Sequence, residues 1–286
     1  MKEKILMKER IMQGVFLVSA CICILCVALI CLFLFANGIP AMAKIGPLKF
    51  LTGTVWKPGN GIFGIAPMIL GSVYVTAGAI ICGVPAGVLT AVFMAKFCGK
   101  ALRKIIAPAV SLLAGIPSVI YGFFALVVVV PVSRTFFGGS GKSLLTASIL
   151  LGIMILPTII SVSEAALRSV PEIYYEGALA LGATHEQAVF FTVLPAAKSG
   201  ILAAVVLGIG RAVGETMAVV MVAGNQAALP ESLVRGLRTL TANIVLEMGY
   251  AADLHREALI ATAVVLFVFI LIINLLLSLQ KKMTRL

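Results

Sequence analysis

The chain has 286 residues, 61% of them hydrophobic and 12% charged, with a formal net charge of +11. A soluble globular chain carries about twice that charged fraction, so composition excludes a water-soluble body. The basic excess is spread through short polar intervals, with no basic helix face and no aromatic stacking platform, which argues against nucleic acid and for membrane topology. Apolar runs long enough to cross ~30 Å of hydrocarbon recur, so the expectation is an all-α polytopic membrane protein in contact with lipid.

Residues 1–13 are short and mixed, with Lys2, Lys4, Lys8 and Arg10. A first transmembrane helix is expected over 14–36. Ala41-Met42-Ala43 resembles a signal cleavage site, but a signal peptide's apolar region is about 7–15 residues, and this run is longer. A retained helix is therefore expected. Cys21, Cys23, Cys26 and Cys31 fall in it, with Cys82 and Cys98 apart. No histidine or carboxylate lies beside them, so core packing is expected rather than a metal site, and no disulfide framework. Residues 37–66, rich in Gly and Pro, read as an external loop. Trp56 within it is expected to anchor at the interface, a contact for an external partner being the second reading.

The rest, 67–286, reads as a core of five further spans. Span two is expected over 67–95, where Gly83-x-x-x-Gly87 lets helices approach closely. Span three, over 105–131, is expected to be interrupted at Gly115-Ile116-Pro117 and again at Gly122. Span four covers 144–163 with a kink at Pro157, span five 198–222, and span six 258–279. Six spans put both termini on one side. That side carries 13 Lys and Arg and the other 8, Arg211 lying inside a span, so both termini and the polar segment 164–197 are expected in the cytoplasm.

Within 164–197, Pro171 sits where a helix would start, with Glu172 near the positive end of its dipole. Gly182 suits the left-handed residue that ends such a helix. Thr184 and Gln187 then form a T-x-x-Q capping box for a second helix, which Leu194-Pro195 is expected to break. Gly177, Ala178 and Ala180 leave the first helix thin on one side, as suits insertion into a partner's cleft.

Span five carries two ionisable residues. Arg211 stands 13 residues into it, ~20 Å at ~1.5 Å per residue and close to the bilayer midplane. An arginine there costs about 2.5–3.5 kcal/mol on insertion scales, so it should face the bundle interior. Glu215 lies four residues on, expected on the same helical face, with Thr216 adjacent. Two readings stand: a self-neutralising ion pair that locks two helices, and an anion pathway. In the second, the planar guanidinium fork grips an oxyanion, and Glu215 holds Arg211 when no anion is present.

Glu176-Gly177-Ala178, three residues, Gly182 and then Leu194-Pro195 resemble the EAA loop of ABC importer permeases, with Gly177 in place of alanine and Thr192 in place of isoleucine. GRAVGETMAVVMVAGN (Gly210–Asn225), LLAGIPSVIYG (Leu112–Gly122) and the Phe50–Pro58 stretch are similar to phosphate-specific ABC importer permeases of the PstC type. The resemblance implies a type I importer permease with six transmembrane helices. It further implies a PstA-type paralogous permease, a PstB-type ATPase dimer and a PstS-type binding protein as partners, and inorganic phosphate as cargo. Sulfate or molybdate is the alternative cargo. Glu176, Gly177, Ala178, Gly182, Leu194 and Pro195 would then be the positions that couple to the ATPase.

Other classes fare worse. His185-Glu186 begins an H-E-x-x-H pattern, but Val189 stands where the second histidine belongs. His255, in an external loop with Arg256 and Glu257, reads as a solvated loop residue. No G-x-x-x-x-G-K-[ST] phosphate loop occurs, so hydrolysis is assigned to another subunit, and no metal or cofactor is expected. A passive anion channel is the remaining alternative, and nothing in it would require a pair of coupling helices.

Overall fold

In the computed structural model, which describes residues 2–283, most of the chain is helical. Arg285, part of the carboxyl-terminal basic cluster, lies outside the described residues. Helix α1 (Lys2–Ile45) runs past residue 36 and takes up the first part of the expected external loop. The chain turns at Gly46, whose φ of +95° suits glycine. Helix α2 (Pro47–Thr52) and a small antiparallel hairpin, β1 (Trp56–Lys57) and β2 (Ile62–Phe63), complete the connection.

Helix α3 (Ala66–Val92) extends through a π-helical turn to Phe97. Helix α4 (Lys100–Gly115) follows, then α5 (Ser118–Phe124), which passes through a second π-helical turn into α6 (Val130–Phe137). Ser143 caps α7 (Leu144–Arg168) by accepting the Thr146 N–H. Next come α8 (Glu172–Ala180), α9 (His185–Ala188), a π-helical turn over Val189–Val193, and α10 (Leu194–Ala196). The chain ends with α11 (Lys198–Gly214), α12 (Met217–Val222), α13 (Leu240–Met248) and α14 (Asp253–Met283).

Among the described residues, five helices are long and apolar enough to cross a membrane: Met12–Ile45, Ala66–Phe97, Ser118–Phe137, Leu144–Arg168 and Asp253–Leu275. The bent pair His185–Ala196 and Lys198–Gly214, with 68° between its halves, makes a sixth when counted as one span. Helix α7 is the hub, with α3, α4, α5, α11 and α12 packed around it. Leu150, Leu151, Met154, Ile155 and Ile159 on it are fully buried. Small residues set the spacing. A Cβ on Gly83 would lie 2.8 Å from the Gly152 oxygen, one on Gly87 2.8 Å from Ile159, and one on Gly208 3.1 Å from Ile159. The Gly83-x-x-x-Gly87 pattern thus marks a real helix contact.

Several expectations need correcting. The expected interruption at Gly115-Ile116-Pro117 is present, Ile116 and Pro117 both being extended (ψ of 126° and 140°), but the helix long and apolar enough to cross a membrane is Ser118–Phe137 rather than 105–131. Gly122 interrupts nothing. Helix α5 runs through it, and its missing Cβ admits α12: a Cβ would meet Met221 Sδ at 2.8 Å and Ala218 Cα at 2.9 Å. Leu194-Pro195 does not break its helix, since Leu194 is helical (φ −62°, ψ −47°) and the bend falls at Ala197. The preceding π-helical turn, in which the Leu194 N–H reaches back to Val189, provides the wider spacing that a proline ring needs. The cysteines are not core residues: Cys21, Cys23, Cys26 and Cys82 are exposed on the chain, and Cys31 and Cys98 are half-buried, all as free thiols.

Candidate functional site

Span five is broken where its charges lie. Helix α11 stops at Gly214, Glu215 is extended (φ −68°, ψ 132°), and Thr216 leads into α12. Arg211 therefore sits in the last turn of α11, and Glu215 in the break, so the two do not share one helical face. Each is placed well for a helix dipole, a cation at a carboxyl end and an anion at an amino end. Glu215 Oε1 accepts the backbone N–H groups of Thr216 (3.1 Å) and Ala218 (3.2 Å). Thr216 Oγ1 donates to the Gly214 carbonyl at 3.2 Å, and Thr241 Oγ1, from α13, donates to the Glu215 carbonyl at 3.0 Å. These local bonds give the backbone an alternative to the helix, which is why the chain opens at Glu215 despite its apolar surroundings.

The structure does not bring Arg211 and Glu215 together as an ion pair. Among the described residues, Arg211 donates no side-chain hydrogen bond and has no carboxylate within 4.0 Å. It is half-buried, and a Cβ on either neighbouring glycine, Gly210 or Gly214, would meet nothing within 4 Å, so this end of α11 is not sealed by its own chain. A matching break faces it. Helix α4 ends at Gly115, and the Tyr121 hydroxyl of α5 donates back across the gap to the Leu113 carbonyl at 2.8 Å. Helices α5 and α12, which begin just after the two breaks, pack on each other at Gly122.

The segment after α7 follows its sequence closely. Helix α8 ends at Gly182, with φ of +89°, and Thr184 and Gln187 make both bonds of the capping box (3.3 and 2.9 Å). No residue of α8 is buried, and Ile173, Tyr174 and the following Leu181 (92% exposed) present apolar surface. Glu176 and Gly177 are exposed and Ala178 half-buried, while Leu194 is half-buried against the apolar cluster that includes Ala91, Val92 and Leu167, with Pro195 exposed beside it. One device was not legible in sequence. The Tyr175 hydroxyl bonds His185 Nδ1 at 2.7 Å, Lys96 lies 5.3 Å over the Tyr175 ring, and Phe97 stands edge-on to His185 at 4.7 Å. The α8–α9 pair is thereby held to the end of α3.

A second polar cluster was also missed. Glu247 is buried, and its Oε2 accepts from Trp56 Nε1 and His255 Nε2, both at 2.8 Å. Because a carboxylate only accepts, His255 Nε2 carries the hydrogen in this pair. Glu247 Oε1 takes Arg238, which also donates to Asn243 Oδ1 and the Asn225 carbonyl, both at 3.0 Å. Trp56 is therefore a buried hydrogen-bond donor rather than an interfacial anchor, and His255 is no solvated loop residue. The cluster ties the hairpin to α13 and α14.

Residues 83–285 match the family described as binding-protein-dependent transport system inner membrane component. The chain belongs to this family. It is a multi-pass integral permease subunit of a binding-protein-dependent ABC importer, not an enzyme, and such permeases work with an ATPase, a binding protein and a paralogous permease. The permease is 40% identical over 282 residues to the probable ABC transporter permease protein YqgH of Bacillus subtilis, covering 94% of this chain and 91% of that one. It is 37% identical to the phosphate transport system permease protein PstC of Mesorhizobium japonicum, over 84% of this chain and 80% of the relative. An inward-facing structure of the MetNI methionine ABC transporter superposes with a TM-score of 0.58 at 21% identity, over 80% of this chain and 99% of that chain. That likeness fixes the fold as the type I importer permease.

Proposed function

We propose that this permease carries inorganic phosphate, as the PstC-type subunit of a phosphate importer. Its partners in this reading are a PstA-type permease, a PstB-type ATPase dimer and a PstS-type binding protein. The observation that carries the reading is Arg211, a cation in the packed part of the permease whose guanidinium no group among the described residues satisfies. Relatives at 34–37% identity that are named phosphate transport system permease protein PstC give the anion its identity. Arg211 offers the oxyanion a planar fork of donors. Glu215 and Thr216 hold the break that leaves that fork free, a different part from a carboxylate resting on the arginine. The excess of basic residues on one side supports cytoplasmic termini and a cytoplasmic segment 164–197. There, the exposed α8 face around Glu176, Gly177 and Ala178, turned by Gly182 and carried into α11 by Leu194 and Pro195, receives the ATPase.

The test is uptake of radiolabelled phosphate, with sulfate and molybdate as competitors, in a strain lacking its chromosomal system. Arg211→Gln abolishes uptake while the subunits still co-purify; normal uptake by that variant overturns the assignment. Competition by sulfate or molybdate as strong as by phosphate favours a different oxyanion. This second reading is encouraged by the Bacillus subtilis relative, which is named only as an ABC permease. Substitution of Gly182 by alanine leaves hydrolysis running without uptake, separating coupling from passage.

A further inference from the structure

Contrary to the expectation of no basic helix face, three cations of α4, Lys100, Arg103 and Lys104, recur at helical spacing on one face, and Arg168 of α7 stands across from them. Together they line a cleft of about 700 Å³ whose apolar side includes Ala107 and Pro108. Among the described residues a single carboxylate reaches this group. Glu164, its side chain 11% exposed, uses Oε1 to accept from Arg103 Nε at 2.8 Å and Arg168 Nε at 2.9 Å. Arg168 Nη2 is spent on the Met94 carbonyl at 3.2 Å. The terminal nitrogens of Arg103 make no hydrogen bond among the described residues, and neither Lys100 nor Lys104 has a carboxylate partner among them.

A basic run after a span is ordinarily a solvated face that orients the helix. This one differs in being built. The buried Glu164 holds two guanidiniums side by side in a concave site, and four cations remain against one negative charge. Fixed guanidinium forks flanked by ammonium groups match a phosphate's several oxygens better than a single carboxylate. Leu102 (46% exposed) and Ile105 (70% exposed) continue the surface of α4 outward as apolar area that acyl chains can lie against. Basic pockets between spans are a general means of holding anionic headgroups.

We propose that the cleft between α4 and the end of α7 is a binding site for a phosphate-bearing anion, supplied either by an anionic phospholipid headgroup or by free inorganic phosphate. It uses none of the residues assigned above to passage or coupling.

The test uses the full-length chain in nanodiscs, with Arg211→Gln as the background so that the proposed pathway contributes nothing. A Lys100→Gln/Lys104→Gln pair removes two cleft charges and leaves the Glu164 cluster intact. A Lys49→Gln/Lys57→Gln pair removes the same charge elsewhere. One arm titrates spin-labelled phosphatidylglycerol; the other measures binding of radiolabelled orthophosphate in phosphatidylcholine discs. The cleft pair is expected to weaken binding in one arm roughly 30-fold, two lysines each contributing a factor of about five near an anionic surface. Loss in the first arm assigns the site to lipid, and loss in the second to free phosphate. Unchanged binding in both arms, or an equal loss from the Lys49 and Lys57 pair, overturns the proposal.

Discussion

Arg238 and Arg211 both bring a guanidinium into the packed part of the permease, yet among the described residues only Arg238 finds acceptors. Arg238 has a buried carboxylate, an amide oxygen and a backbone carbonyl as acceptors, and that carboxylate is further held by an indole and an imidazole. Such a cluster holds its cation: Arg238 Nε and Nη1, Trp56 Nε1 and His255 Nε2 all donate within it, and it joins the hairpin to α13 and α14. Arg211 lies at a helix end beside open space, with the nearby acid turned to its own backbone. A cation's burial alone therefore does not mark function here; the difference lies in whether its donors are already occupied.

The contrast is broken most forcefully at Glu247. Glu247→Ala leaves Arg238 and His255 without their shared acceptor, and removing one partner of a buried ion pair costs about 3–5 kcal/mol. The unfolding temperature in detergent should drop by many degrees. Unfolding indistinguishable from the parent would mean that Arg238 is no more structural than Arg211. Trp56→Phe is the milder probe. It keeps an aromatic ring against Phe63, 5.6 Å away, but deletes the donor to Glu247, for an expected loss of about 1–3 kcal/mol. Arg211→Gln should do the reverse of both, shifting stability by only about 0.5 kcal/mol, as a substitution with no lost partner does. If its unfolding fell as far as that of Glu247→Ala, a partner of Arg211 within the chain would have to exist.

Which of these features could be read beforehand follows from how far apart their parts lie. The capping box at Thr184 and Gln187 and the stop at Gly182 are local, three residues or a single φ, and sequence predicts them well. The Gly83 and Gly87 pair was legible as a tendency, because small residues at that spacing suit only close approach. The Glu247 cluster was not, since Trp56 is 191 positions away and no periodicity links an indole to a distant acid. The break at Glu215 was hidden for a different reason. An uninterrupted apolar run looks like one helix, and what opens it is a set of side-chain bonds to the backbone, one of them from Thr241, 26 positions downstream. A clue was present in Gly-Glu-Thr itself, a glycine followed by two residues whose side chains can hold an open turn. At Leu194-Pro195 the opposite error arose, because a π-helical turn can absorb a proline that an α-helix would reject.

A comparably small effect, at Glu215, is the most discriminating. Glu215→Gln keeps an oxygen able to accept the N–H groups of Thr216 and Ala218, so the break should persist. What is lost is a negative charge at the amino end of α12, about 0.3–1 kcal/mol. Were Glu215 instead the resting counter-ion of Arg211, its neutralisation would strand a partly buried cation and cost several times more. Combining the variant with Arg211→Gln separates the cases without reliance on either value alone. For two residues that do not interact, the stability changes should add to within about 0.3–0.5 kcal/mol. A coupling well above that would return the pair to a self-satisfied ion pair of the Arg238 kind, and Arg211 would lose its claim to be the guanidinium left open for an anion.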